Sequence, residues 1–275
     1  MKKTIYFHIG TARTGTTYLQ EVLDVSHNQL KDCGVLYDHD KSVFGDYLMD
    51  VCPAGKGSIK FFRMLFNETY QKQPLDKIFI IAEGLSGNSI NGHSNVGAIA
   101  KDLNEITTDF DVKIILFLRS QDTYIESLYY QKIKEGWNFS FKEFIGMLHE
   151  DNYHWDRLVK SYTDVFGTDN VFVFSWELAK GKVLEMVGNV VGFKVKPIQP
   201  KMVNAALSKK GIALMKACLS VEGINQEDKL LLREFLQNNF HKQPYDGFDL
   251  LSDGEREKIL KYYKKSNEVV FKQLA

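Results

Sequence analysis

The stretch that most constrains this chain is an apolar run that ends in a glycine-bounded polar loop. Ile5-Tyr6-Phe7-His8-Ile9 leads into Gly10-Thr11-Ala12-Arg13-Thr14-Gly15-Thr16-Thr17. A helix opens near Thr16, with Tyr18, Leu19, Val22 and Leu23 on one face. An apolar run without alternation reads as a strand buried on both faces. Strand, glycine loop, helix is the order that curls backbone N–H groups around an anion and aims a helix N-terminus at it. The glycines have the GxxxxG spacing, but Thr16 stands where a nucleoside triphosphatase carries the lysine for its β- and γ-phosphates. The cation, Arg13, lies inside the loop instead. A glycine turn with no ligand, and Arg13 as a solvated loop cation, are the alternatives.

Further apolar runs over 77–82, 112–118 and 171–174 read as strands, separated by helical patterns over 59–70, 95–107 and 122–135. Ser140 and Glu143 form a capping box that starts another helix. Such an alternation predicts an α/β fold, a mostly parallel sheet flanked by helices, whose ligands bind beyond the carboxyl ends of the strands. Three of those ends carry residues 10–17, Glu83 and Arg119, so all three are expected on one rim. After Pro200 the patterns over 208–219, 226–239 and 252–274 are helical, with start signals at Asn225 and Ser252. Residues 194–203 read as a linking loop. We therefore expect a single domain over 1–275, with an α/β core over 1–200 and a helical lobe over 201–275.

At 275 residues and 44% hydrophobic content the chain is long enough for such a core. It has no apolar run of about 18 residues, so no membrane span is expected, and no signal-peptide pattern at the start. Cys33, Cys52 and Cys218 have no metal-ligand spacing, which leads us to expect a reducing, cytoplasmic setting and no metal. Thirty-five basic side chains balance thirty-five acidic ones, which gives no hint of a nucleic-acid partner.

The loop resembles the 5′-phosphosulfate loop of the sulfotransferases that use 3′-phosphoadenosine-5′-phosphosulfate (PAPS), written roughly G-x-x-K/R-x-G-T-T. Gly10, Arg13, Gly15, Thr16 and Thr17 match it, with Arg13 where lysine is usual. The resemblance implies that residues Gly10, Thr11, Ala12, Arg13, Thr14, Gly15, Thr16 and Thr17 hold the phosphosulfate. An arginine there acts by charge and forked hydrogen bonds, because it is always protonated. Leu118-Arg119-Ser120-Gln121-Asp122, with Ser127 eight residues after Arg119, is similar to the family's 3′-phosphate signature. The alternative for Arg119 is a structural pair with an acid such as Asp122.

Ile80-Ile81-Ala82-Glu83-Gly84 also resembles the family, some members of which carry a general-base glutamate after this strand. Glu83 is the candidate, its pKa expected to rise beside a buried strand end. A structural ion pair, even with Arg13, is the alternative. His93 is the alternative base, and a loop histidine is the competing reading. Val173-Phe174-Ser175-Trp176-Glu177-Leu178 and Asn204-Ala205-Ala206-Leu207-Ser208 extend the resemblance weakly, to about residue 210. The family implies sulfuryl transfer from PAPS, leaving adenosine 3′,5′-bisphosphate (PAP), to a hydroxyl or amine of a small-molecule or glycan acceptor, with no metal required. Among the aromatics, Tyr124, Tyr129, Tyr130, Trp137 and Trp155 are either sugar platforms or packing. The rival functions are a nucleotide kinase or NTPase, and a nucleotide-binding scaffold without catalysis.

Overall fold

The computed structural model describes residues 2–38, 56–149, 151–196, 207–241 and 249–271. The chain divides into two units, one of residues 1–119, 150–200 and 263–275, the other of 120–149 and 201–262. The second unit takes residues 120–149 from the middle of the chain together with residues 201–262. The first unit includes residues 263–275 at its far end.

The first unit is built on five parallel strands: β1 (Thr4–His8), β2 (Val35–Asp38), β3 (Lys77–Ile81), β4 (Asp111–Leu118) and β5 (Val171–Ser175). Their order is β2-β3-β1-β4-β5. Helices α1 (Thr16–Val25), α2 (His27–Asp32), α3 (Lys56–Tyr70) and α4 (Val96–Ile106) belong to this unit. In the second unit, α5 (Gln121–Lys134) and α6 (Phe141–Met147) follow β4. The chain then returns to the first unit with α7 (Trp155–Phe166), α8 (Trp176–Ala179) and α9 (Val183–Val191). The last three are α10 (Lys209–Leu219), α11 (Gln226–Asn239) and α12 (Asp253–Phe271).

The three middle strands are nearly dry because both faces are covered. Leu19, Leu23, Leu30, Val183 and Val187 pack with Phe79, Ile81, Ile115 and Phe117 on one face. Phe7 meets Phe66 of α3 on the other, ring centroids 6.3 Å apart. Helix α1 buries Leu19, Val22 and Leu23 as its pattern predicts, whereas Tyr18 is exposed. Position 18 falls off the buried stripe, one residue before Leu19. Helix α7 buries Trp155, Leu158 and Tyr162 at helical spacing, a pattern present in the sequence. Tyr124 and Tyr129 are likewise buried, and Trp137 is exposed at 37%.

The second unit holds buried charge. Glu126 on α5 accepts the backbone N–H groups of Leu250 and Leu251 at 2.8 and 3.0 Å. Its carboxylate also takes the Arg256 guanidinium at 2.9 Å. Arg256 reaches Asp122 at 3.2 Å and pairs with Asp249 as well. Tyr129, Phe141 and Phe144 close an aromatic cluster beside it in sequence, with ring centroids 5.2 and 5.5 Å from Tyr129. No helix among the described residues is long and apolar enough to cross a membrane. Cys33 and Cys218 are free thiols, and Cys52 lies outside the described residues.

Glu126 would keep two backbone donors but lose its counter-charge if Arg256 were removed. Arg256→Met should cost about 3 kcal/mol in urea denaturation, as removal of one partner from a buried pair does. Arg157→Ala, which breaks a pair to Asp151 with both side chains 62% exposed, should cost under about 0.5 kcal/mol. Equal costs would show that the Glu126 carboxylate is hydrated.

Candidate active site

The candidate site lies in the first unit, beyond the carboxyl end of β1. The Ile9 N–H donates to Ile115 O and the Ala82 N–H to His8 O, each at 3.0 Å, so β1 stays sewn to both neighbours as it ends. The chain then turns through three left-handed residues: Gly10 at φ 45°, Arg13 at 71° and Gly15 at 82°. Arg13 is a non-glycine residue in that region, so the surroundings must hold it there.

Two threonines provide part of that hold. Thr11 Oγ1 donates to Phe117 O at 3.0 Å, and Thr14 Oγ1 donates to Thr11 O at 2.7 Å. Both side chains are fully buried. Their hydroxyls brace the loop, which leaves only their main chain to face a ligand. Thr16 is buried at 2%, and Thr17 is exposed. Gly15 at the N-cap brings no side-chain acceptor to the first turn of α1. Its N–H groups therefore keep their reach toward the inside of the loop.

Both loop glycines are needed for space as well as for φ. A methyl on Gly10 would come 3.2 Å from Thr16 Oγ1, 3.3 Å from His8 Cε1 and 3.5 Å from Glu83 Cγ. A methyl on Gly15 would come 2.9 Å from the Trp176 ring. The weak Val173-to-Leu178 resemblance thus falls on β5 and α8, where Trp176 lies over the loop.

Glu83 opens a 3₁₀ turn, Glu83–Ser86, directly after β3. It lies beside Gly10 at the rim, and it is exposed. His93 is 3% exposed, with its Nδ1 2.7 Å from Ser86 O. Its ring stands 5.7 Å from Trp155 and 6.1 Å from Tyr153. Burial pushes the His93 pKa down to about 4. Packed among aromatic rings, it holds the segment after Glu83.

Arg119 follows β4 at once and is half-buried. Its Nη1 lies 3.5 Å from Arg13 O, and its own carbonyl accepts Trp155 Nε1–H at 2.8 Å. The arginines of the two motifs are thereby brought together at one rim. Asp122, the acid weighed as a partner for Arg119, takes Ser120 Oγ at 2.5 Å and Arg256. Ser127 lies on α5 in the second unit, 7% exposed. Asn204, Ala205 and Ala206, and residues 197–203 of the linking loop, lie outside the described residues. Among the described residues no group of three or more His, Cys, Asp or Glu is placed to hold a metal ion.

His8 escaped the sequence reading. It is fully buried and near Phe117, ring centroids 5.4 Å apart. Among the described residues neither ring nitrogen has a hydrogen-bond partner, and nor does Thr16 Oγ1. Burial pushes the His8 pKa down to about 4. The only signal in the sequence is a polar residue inside an apolar run.

No family model matches this chain, and no curated protein matches it. Among solved structures it is similar to the sulfotransferase of Alicyclobacillus acidocaldarius, at 15% identity over 82% of this chain and 94% of that one, with a TM-score of 0.48. It is also similar to a mouse sulfotransferase complexed with PAP, at 12% identity over 99% and 85%, TM-score 0.45. A sulfotransferase domain from the curacin biosynthetic pathway gives 12% over 96% and 97%, TM-score 0.40. All three likenesses are remote.

Gly34 separates the two demands on Gly15, because it has φ 75° with nothing within 4 Å of an added methyl. Gly34→Ala should cost about 1 kcal/mol, the left-handed strain alone. Gly15→Ala should cost about 2–4 kcal/mol, because overpacking against Trp176 adds to the strain. Trp176→Leu in the Gly15→Ala background should recover the difference. Urea titration of the four proteins checks this, and equal costs at the two glycines would show that the Trp176 ring yields.

His8 and His93 also predict a pH dependence. Both have folded pKa values near 4 against an ordinary 6.5. Between those values the unfolded chain binds protons that the folded one refuses. Stability is therefore complete above pH 6.5 and falls as pH drops towards 4, by about 1.4 kcal/mol per pH unit for each ring. His8→Phe should remove about half of that slope in denaturant titrations between pH 6.5 and 4. An unchanged slope would mean that His8 is hydrated.

Proposed function

We propose that this chain is a PAPS-dependent sulfotransferase acting on a hydroxyl or amine of a small-molecule or glycan acceptor. One observation carries the reading. An arginine-bearing glycine loop closes the end of β1, with Glu83 beside its first glycine and the Arg119 guanidinium at the carbonyl of Arg13. A loop with its cation inside suits a phosphosulfate better than a triphosphate.

In the proposed reaction, Arg13 and the loop N–H groups hold the 5′-phosphosulfate, and Arg119 anchors the 3′-phosphate. The acceptor oxygen or nitrogen attacks sulfur in line as the bond from sulfur to the bridging phosphate oxygen breaks. Glu83 takes the acceptor proton, and PAP leaves. Arg13 meets the charge growing on the bridging oxygen as a fixed cation. Glu83 faces solvent in the free protein, so an acceptor arriving from solvent can reach it. We place the reaction in the cytoplasm, where the thiols of Cys33 and Cys218 would persist.

PAP at a hundredfold excess over its Kd should stabilise the fold by ~2.7 kcal/mol in a thermal-shift assay. ATP should do less, and Mg²⁺ should make no difference. Glu83→Gln should keep PAP affinity and slow single-turnover transfer by ~10²–10⁴-fold, whereas His93→Asn should change transfer far less. Stronger stabilisation by Mg-ATP would favour a kinase or NTPase, and PAP binding without transfer to any acceptor would favour a scaffold.

A further inference from the structure

Trp155 is fully buried at the start of α7, so it offers no face on which an acceptor could stack. A buried indole still needs an acceptor for its N–H. Trp155 Nε1–H donates at 2.8 Å to the carbonyl of Arg119, thirty-six residues earlier in the chain. Arg119 lies between β4, which ends at Leu118, and α5, which begins at Gln121. It is also the last residue of its stretch of the first unit. Its main chain is therefore in neither a strand nor a helix, and the indole bond ties it back to its own unit. A guanidinium on a long flexible stem anchors well only when the stem starts from a fixed point.

The indole is itself held on several sides. Its ring centroid lies 5.7 Å from that of His93 and 6.1 Å from that of Tyr153. Those two neighbours are left-handed, at φ 64° and 63°, and Arg13 is the third such non-glycine residue among those described. Strain of this kind persists only where the surroundings fix it. Tyr153 donates to Ser89 O at 2.8 Å, and the Asp156 N–H donates to Ser266 Oγ at 3.2 Å. Tyr162, two turns along the same buried face of α7, donates to Leu85 O in the turn that Glu83 opens. We infer that Trp155 is a positioning residue for the proposed site: its indole N–H fixes the main chain of Arg119, and so the place from which the guanidinium reaches Arg13 O and the 3′-phosphate. It touches no ligand and acts through Arg119 alone. The role rests on the sulfotransferase reading, in which Arg119 anchors that phosphate.

The test uses the wild type, Trp155→Phe, Arg119→Ala, the double variant Trp155→Phe/Arg119→Ala, and Tyr162→Phe. Calorimetric titration gives their affinities for PAP and for adenosine 5′-monophosphate (AMP), which differs from PAP only in lacking the 3′-phosphate. The ratio of the two affinities is the 3′-phosphate preference. Thermal denaturation gives the stability of the unliganded proteins. Arg119→Ala should cut the preference by about tenfold or more, the range for a bond to a charged group. Trp155→Phe should cut it by about threefold to tenfold, the range of one ordinary hydrogen bond, and leave AMP affinity nearly unchanged. The double variant should match Arg119→Ala, because the indole has no other route to the ligand. Tyr162→Phe removes a donor from the same helix, so it should lower the melting temperature and leave the preference as it is in the wild type.

A Trp155→Phe protein that melts lower but keeps the wild-type preference would make the indole structural and overturn its positioning role, with the sulfotransferase reading intact. So would a double variant worse than Arg119→Ala, or a Tyr162→Phe preference that falls as far as that of Trp155→Phe. In the wild type, the Trp155 indole N–H resonance (identified through Trp137→Phe and Trp176→Phe) should move when PAP binds and stay in place when AMP binds. That signature needs no folded Trp155→Phe protein, and an unmoved resonance would overturn the role by itself. Wild-type protein that binds AMP as tightly as PAP, or binds neither, would sink the sulfotransferase reading and the role together.

Discussion

Strand β1 is hydrogen-bonded on both sides, with His8 level with Ile81 of β3 and Ile115 of β4. That pairing sets the geometry of the whole rim. Parallel strands end on the same side, so the segments that leave β1, β3 and β4 emerge next to one another. The glycine loop, Glu83 and Arg119 are far apart in sequence and neighbours for this reason alone. Strand β4 runs three residues past the level of His8, to Leu118, which carries Arg119 outward to the Arg13 carbonyl.

The loop itself is a strained turn held by packed neighbours. Left-handed Arg13 has no glycine's freedom, so the cost of its backbone is offset by what fixes the turn around it. Thr11 ties the loop to β4, Thr14 ties it to itself, and Trp176 covers Gly15. A site so braced can present fixed N–H dipoles without reorganising, which is what stabilising a charge in transfer requires. The same tightness limits what evolution can change there, because a methyl at either glycine meets a side chain.

Much of this was legible in the sequence, for physical reasons that differ by element. The runs that became β1, β3 and β4 are apolar on both faces, interrupted only by His8 and Lys113 once under way, because both faces are covered, and that signal survives without a structure. Strand β2 has only four residues and alternates buried with half-buried positions, so Val35–Asp38 offers no apolar run to read. Strand β5 reads as apolar, yet every residue in it is only half-buried, as befits an edge. Glu83 was found by its place after a strand, but its exposure depends on how the next turn leaves the sheet. His8 was hidden because a buried polar residue has no periodicity of its own. The boundary near residue 200 marked a change in composition, whereas compactness is a property of contacts that composition does not carry.

The last helix has a consequence for how the molecule is made. Tyr263 of α12 donates to Asn152 O at 2.7 Å, Ser266 Oγ accepts the Asp156 N–H at 3.2 Å, and Val270 is buried. All of these belong to the same unit as the glycine loop. The glycine loop and the segment that completes its unit lie more than two hundred residues apart in sequence. Contacts so distant in sequence form slowly, and until they form the surface that Tyr263 and Val270 cover stays open. Closing the unit that carries the glycine loop is therefore a long-range step in folding, whatever the finished protein does.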